Sequence, residues 1–293
     1  MSVETHRASS LEVRLAARRG QHTTHTAGIA PGHLQANLIV LPSRYAADFR
    51  QLCGRNTVPC PLIAESAITG CYDEVVSCIP GLSGDELLRK GCDLRRDIPR
   101  FMVYEDSQLT KSHCEDVVDE WTQDCVAFLI GCSYSFEAEH AAAGLSPRHS
   151  VLGKMVPMYR TRVPLCPSGV FTGGTYVMSM RPYRRRDVER VRDITRRYGV
   201  THGEPIDWGW DAMERLGIKD LQQPDWGDAP VGQYGGRLVR GDEGDEDADV
   251  PVFWGCGVTP QEAVMKAGLQ GTVIAHAPGH MLVLDARDED IKS

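Results

Sequence analysis

The sequence predicts an α/β fold on three observations. Amphipathic helices are separated by short apolar strand runs, and the middle of the chain reads strand, strand, helix, strand. The composition, 42% hydrophobic and 25% charged, is that of an ordinary globular protein. At 293 residues the chain is long enough for one large core or two smaller ones.

Residues 1–30 read as a short helix from Leu11 to Arg19 followed by an extended polar arm. Leu38 to Leu41 form a strand stopped by Pro42. Ser43 is placed to cap a helix with Tyr45, Phe49, Leu52 and Cys53 as its apolar stripe, closed by Gly54. Residues 56–97, rich in Pro, Gly and Cys, show weak periodicity and read as a long irregular region, where function often resides. A strand follows at Phe101 to Tyr104, with a turn at EDSQ. Ser112 and Glu115 form an S-x-x-E box, so a helix is expected with Val117, Trp121, Cys125 and Phe128 on one face, running into Ala127 to Ile130. A further helical turn or two is read at Phe136 to Ala143, ended by Gly144.

VPMYRTRVP and GTYVMSMRPY alternate like strands. RRRDVERVRDITRRY is an amphipathic helix with Val188, Val191, Ile194 and Tyr198 inward, and GEPIDWG returns to a strand. That succession predicts a small two-layer α/β unit at 148–215, set into a main domain of 31–147 plus 216–293. An acidic loop (GDEGDEDAD) precedes the closing elements: strand VPVFWGC, helix TPQEAVMKAG, and strands TVIA and MLVLD.

The net charge of −8 argues against general nucleic-acid binding, and the arginines at 184–186 and 196–197 read as a solvated helix face. No segment approaches the ~20 apolar residues of a membrane helix, and the N-terminus lacks the apolar core of a secretory signal. An amphipathic first helix is favoured over an Arg-rich presequence. The ten cysteines include no CxxC pair, and free thiols in a reducing, cytoplasmic setting are expected. The acidic loop lacks EF-hand spacing, so no Ca²⁺ is called for. GxGxxG, GxxxxGK[ST] and GxSxG are all absent, which removes dinucleotide, ATP and serine-hydrolase readings.

Four constellations carry chemistry. In GCSYSFE, Gly131 allows close backbone approach, and Cys132 and Ser133 stand where a new helix would offer N–H groups to an anion. In MYRTRVP and SMRP, Tyr159, Arg160, Arg162 and Arg181 resemble a carboxylate clamp, because alternation puts Arg160 and Arg162 on one face. Salt bridges to acidic side chains are the alternative. In FWGCGVT and HAPGH, Gly255, Gly257 and Gly279 flank Cys256 and His280, so the loops can pack tightly around a small ligand, and His276 and His280 are spaced H-x-x-x-H. Pro278 and Gly279 argue against a metal-binding helix, so no metal is expected, and a histidine acid or base is the chemical reading. In THGEP, His202 is the further proton-carrying candidate. The catalytic candidates are therefore His202, His280, Cys132 and Cys256. The substrate-binding candidates are Asn37, Ser133, Tyr159, Arg160, Arg162, Arg181 and Gly257.

PGHLQANLIVLP, FRQLCGRN with PCPL, DIPRFMVY, DCVAFLIGCSYSFE, VPMYRT, YVMSMRP, THGEPI, PDWGD, VPVFWGCGVTPQ and APGHMLV, in that order over roughly residues 28–285, resemble the hydro-lyases of the D-glutamate cyclase family. The run Asp207–Trp208–Gly209–Trp210–Asp211 departs from the family's His-Ile-Gly-Asp-like continuation. The resemblance implies a cytoplasmic, cofactor-free lyase. It also implies a three-layer α/β/α main domain with a smaller two-layer domain inserted, and conversion of D-glutamate to 5-oxo-D-proline and water. The expected partner is an anionic small molecule, with neither nucleic acid nor membrane, and a homodimer is compatible with the reading. A non-catalytic binder of acidic metabolites is the alternative. A protein-docking scaffold would need an exposed apolar stripe that the sequence lacks.

Overall fold

The computed structural model describes residues 8–242 and 244–292. The first seven residues of the expected N-terminal segment, and Glu243 of the acidic loop, lie outside them. In chain order the elements are α1 (Ser10–Arg18), β1 (His33–Pro42), α2 (Ala46–Arg55), β2 (Leu62–Ser66), β3 (Val75–Ser77), α3 (Gly84–Leu87), β4 (Phe101–Glu105), β5 (Gln108–Cys114), β6 (Cys125–Gly131), α4 (Glu137–Ala142), α5 (Arg148–Val151), β7 (Met158–Pro164), β8 (Thr175–Arg184), α6 (Val188–Thr195), β9 (Asp207–Trp208), α7 (Ala212–Leu216), β10 (Asp249–Gly255), α8 (Val258–Lys266), β11 (Thr272–His276) and β12 (Leu282–Arg287). This is an α/β fold.

Two antiparallel sheets organise it. The larger runs β3-β2-β6-β1-β11-β4-β5, with β12 pairing the first half of β1. The smaller runs β7-β8-β10-β9. In β1, Leu34, Ala36, Leu38 and Val40 enter one core, while Ile39 and Leu41 enter another, so both faces of this strand are covered. Phe49 and Leu52 of α2 and Ala263 and Val264 of α8 fill the second core. The first core is shared with the smaller sheet through Val252 and Trp254 of β10. Phe253, of opposite parity, packs on the other side with Ala212 and Leu216 of α7.

The N-terminal helix is held by charge as well as by packing. Ser9 and Glu12 form its capping box, and Arg14, 2% exposed, donates to the Val283 carbonyl and pairs with Asp285 at 2.8 Å. Arg18 closes on buried Asp97.

The expected helix after Ser112 does not form. Ser112 ends in β5, and Cys125–Gly131 is β6, seated between β2 and β1 with every residue buried. A strand covered on both faces reads as a continuous apolar run, and so does a buried helix end, which is why periodicity misassigned it. Ser43 does not cap α2 either. Its hydroxyl bonds to the Asp124 carboxylate, and a short 3₁₀ turn over Ser43–Tyr45 precedes the helix. The region read as irregular holds β2, β3 and α3. The smaller sheet also takes β10 from beyond residue 215, in register with β8 from Asp249↔Arg184 to Gly255↔Met178. All ten cysteines are free, and among the described residues no helix is long and apolar enough to cross a membrane.

Candidate functional site

The site starts from a buried ion pair joining β8 of the smaller sheet to α4, which follows β6 of the larger one. Arg181 on β8 has no exposed surface. Its Nε donates to Glu137 Oε1 at 2.9 Å, its Nη2 to the same oxygen at 2.5 Å and to Ser133 Oγ at 3.0 Å, and its Nη1 to Ser179 Oγ at 3.1 Å. The guanidinium also lies 5.3 Å from the rings of Phe136 and Trp254. The chain leaves β6 through Gly131 and turns at Cys132 into the 3₁₀ segment Ser133–Phe136, which delivers Glu137 to the start of α4. Gly131 is required there because a Cβ would fall 2.0 Å from the Val200 carbonyl oxygen. Glu137 also meets His149 Nε2 at 3.0 Å and accepts from Ser150 Oγ at 2.6 Å. Burial works against its charge, but His149, Arg181 and the Ser150 bond hold its carboxyl well below the usual carboxylate range.

Above this pair lies a pocket of about 260 Å³, lined by Gln35, Tyr134, Glu137, Ser150, Asp288 and the 28–33 loop among others. Asp288 is 5% exposed, and its Oδ1 is buried without a hydrogen-bond partner. Its backbone N–H donates to the Gly32 carbonyl, which fixes it against the loop. Burial pushes its carboxyl up to about 7; Glu139 adds to this, and Lys292 and Arg287 oppose it. The pocket thus holds one carboxyl locked in the charged form and one that titrates near neutrality.

The remaining expected residues divide. Cys132 and Cys256 come together in an apolar cluster with Tyr134, Val156, Met158 and Val177, and burial raises their thiols to about 12 and about 11. Both are neutral at pH 7, the opposite of the activated thiol that a helix N-terminus would give. Asn37 donates to the Ile130 and Gly131 carbonyls and sits so close to Gly257 that a Cβ there would lie 1.9 Å from its Nδ2. His202, at φ +86°, is 1% exposed. Its Nδ1 lies 2.8 Å from the Val58 carbonyl oxygen, its Nε2 has no partner, and burial lowers it to about 4. His280 contacts the Pro278 carbonyl through Nδ1 and faces His113 edge-on at 5.8 Å. His276 bonds instead to Gln261 and Leu38. Among the described residues no group of three His, Cys, Asp or Glu could hold a metal ion.

The strand 158–164 does not bring its polar side chains to the pocket. Tyr159 is buried in the core of the smaller sheet, with its hydroxyl on the Leu221 carbonyl. Arg160 is half exposed and spends its guanidinium on Asp225 (2.6 Å) and Glu262 (2.8 and 2.9 Å), over the Trp226 ring. Arg162 donates to the Arg215 carbonyl. Alternation put both arginines on one face correctly, but that face is the surface, and for Arg160 the carboxylates it clamps are the protein's own. Arg181 does bind a carboxylate, and that one too is internal.

Comparison with known proteins decides the family. Residues 126–285 match the D-glutamate cyclase family. A Schizosaccharomyces pombe protein is 43% identical over 275 residues, spanning 94% of this chain and 83% of the relative. A Rubrobacter xylanophilus protein is 44% identical over 279 residues, 95% of this chain and 96% of its own. A Bordetella petrii protein is 43% identical over 277 residues, 94% of each. All three are named provisionally as hydro-lyases. The chain belongs to the D-glutamate cyclase family.

Within this family member the matched span runs from β6 into β12, and so contains Gly131, Glu137, Arg181, His202 and Gly257. Asn37 and Asp288 lie outside it. Reading the cyclase-family sequence by motif missed Glu137, His149, Ser150 and Asp288. An acid at the end of the apolar run 125–136 was the available signal for Glu137. Nothing in the run ARDEDI distinguishes the one buried acid from its solvated neighbours.

Proposed function

We propose that this chain is a lyase that dehydrates a small amino acid in the 260 Å³ pocket, with D-glutamate cyclised to 5-oxo-D-proline. The observation that carries the reading is the pairing of two acidic side chains, Glu137 and Asp288, on one pocket, the first of them anchored by the buried Arg181 behind it. The volume lies below the roughly 300–1,000 Å³ of sites for drug-sized ligands, and suits a metabolite of amino-acid size. Membership of the hydro-lyase family supplies the reaction class, loss of water.

Cyclisation needs no redox partner. The α-nitrogen forms a bond to the γ-carboxyl carbon, one C–O bond of that carboxyl breaks, and water leaves. The nitrogen gives up two protons, and both end on the departing oxygen. Glu137, its oxygens taken by Arg181, His149 and Ser150, is a fixed part of the pocket wall, and the unpaired carboxyl of Asp288 is the pole that receives the substrate ammonium. On the far side of the 28–33 loop the Arg287 guanidinium lies beside Gly32, outside the pocket wall, and its positive charge favours the carboxylate end of the substrate on that side. Holding nitrogen and carboxyl together supplies much of the acceleration by proximity.

The test is incubation of the purified chain with D- and L-glutamate, followed by NMR detection of 5-oxoproline. Stereospecific product from D-glutamate supports the assignment. Saturable binding without product would instead make the chain a metabolite-binding protein, and absence of both would remove D-glutamate as ligand.

A further inference from the structure

We infer that Asp288 is the catalytic proton carrier of this pocket, taking protons from the substrate nitrogen and delivering them to the departing γ-carboxyl oxygen. The inference rests on the cyclisation reading and names the group that the reaction needs and the motifs do not supply.

The geometry gives three reasons. Asp288 lines the same pocket as Glu137, so a small amino acid bound there lies within reach of both. Its side chain is 95% buried by its 5% exposure, and Oδ1 has no hydrogen-bond donor, whereas Asp97 and Asp285, the other buried acids of this end of the molecule, are tied to Arg14 and Arg18. A buried carboxyl oxygen left unpaired costs stability, which is tolerated where a ligand or a transferred proton completes it. The backbone bond to Gly32 and the 3₁₀ turn Asp288–Ile291 hold the residue rigidly. Glu137 cannot share this role, because Arg181, His149 and Ser150 already occupy its oxygens.

The groups around Asp288 set its behaviour. Arg287 and Lys292 flank it in sequence. Glu139 approaches from α4, paired to Lys292 at 2.5 Å, and Lys292 itself lies 5.8 Å from the Tyr198 ring. His33 on β1 lines the same pocket, its Nδ1 occupied by the Leu284 carbonyl, and burial lowers its affinity for a proton. Of the acids around Asp288, Glu139 is paired to Lys292, Glu137 to Arg181, Asp290 accepts from the Arg287 backbone N–H, and Glu289 is exposed. Burial dominates, placing the proton affinity of Asp288 near neutrality, where a group that both accepts and donates works best.

Proton balance follows. Ionised Asp288 takes one proton from the ammonium and passes it to the γ-carboxylate. The freed amine attacks the resulting carboxyl. Asp288 then takes the second nitrogen proton and hands it to the leaving hydroxyl, which departs as water, and the carboxylate is restored.

The experiment measures 5-oxoproline formation from D-glutamate between pH 5 and 9 for wild type, Asp288→Asn and Asp288→Glu, with D-glutamate binding by calorimetry. Wild-type kcat/KM should rise with pH through a limb near 7. Asp288→Asn should bind D-glutamate within about 3-fold of wild type yet lose on the order of 100-fold in kcat and show no such limb. Asp288→Glu should recover part of the rate with a displaced limb. Wild-type rate and an unchanged limb in Asp288→Asn would overturn the role of Asp288 alone. Absence of turnover in wild type would overturn the cyclisation reading and this role together.

Discussion

Removing the charge of Glu137 while keeping its shape is the sharpest perturbation of the ion pair at the heart of the site. Glu137→Gln leaves Arg181, with no exposed surface, facing an amide instead of a carboxylate across contacts of 2.9 and 2.5 Å. Ser133 and Ser179 hydroxyls and the Phe136 and Trp254 rings remain, but they are dipoles and quadrupoles, not a counter-charge. An uncompensated buried cation costs about 3–5 kcal/mol. Neither group is solvent-exposed, so screening does not reduce the figure. Urea unfolding at pH 7, followed by circular dichroism, should show Glu137→Gln losing that much. Arg181→Met should lose less, because His149 and Ser150 still serve the carboxylate. The double variant Glu137→Gln/Arg181→Met should lie above the sum of the singles, since it removes the stranded charge. A Glu137→Gln loss below about 1 kcal/mol, the range of an ordinary surface change, would refute the view that this pair anchors α4 to the smaller sheet.

Titration gives two further expectations of opposite sign. His202 and His276 are lowered by burial from 6.5 to about 4, so the unfolded chain takes up protons first as pH falls. Their contribution is complete above pH 6.5 and drains away between 6.5 and about 4, on the order of 3 kcal/mol each, and His276→Gln should flatten that slope of unfolding free energy against pH. Asp288 is raised from 3.8 to about 7, so the folded state holds its proton more tightly. Its contribution is present below pH 3.8 and lost as pH rises through 7, and at pH 9 Asp288→Asn should be more stable than wild type by up to about 4 kcal/mol, with the difference vanishing towards pH 4. Ellman's reagent should modify exposed Cys78 and Cys166 in the native protein, and Cys132 and Cys256 only after unfolding. Gly257→Ala would drive a methyl to 1.9 Å from Asn37 Nδ2, and thermal unfolding should register a loss of about 1–3 kcal/mol.

Which parts of the molecule were legible in the sequence follows from the range of the forces involved. Local patterns recovered α1, β1, α2, β4, β7, β8, α6, β10 and α8, because each carries its own periodicity or turn chemistry. The failures came where partners are distant. Cys125–Gly131 is a strand only because β1 and β2 flank it, and no residue within the run announces them. Arg160 looked like a substrate clamp because Asp225 and Glu262, its partners, stand 65 and 102 positions away. Arg181 was singled out for the right chemistry with the wrong partner, since a guanidinium that seeks a carboxylate cannot say from sequence whose carboxylate it is.

That substitution of an internal for an external carboxylate reshapes the electrostatics of the site. A substrate-binding arginine would lie open to the ligand and compete with water. Arg181 is sealed, so it acts at all times to keep Glu137 ionised against the cost of burial. Asp288 has no such partner, and burial outweighs the opposing charges of Lys292 and Arg287. Two carboxyls lining one pocket are thereby shifted in opposite directions, and that is the condition under which one stays a fixed charge while the other exchanges protons. The smaller sheet contributes to the reading of function through this one residue: by carrying Arg181 on β8 into the interface, it fixes which of the two acids is free to titrate.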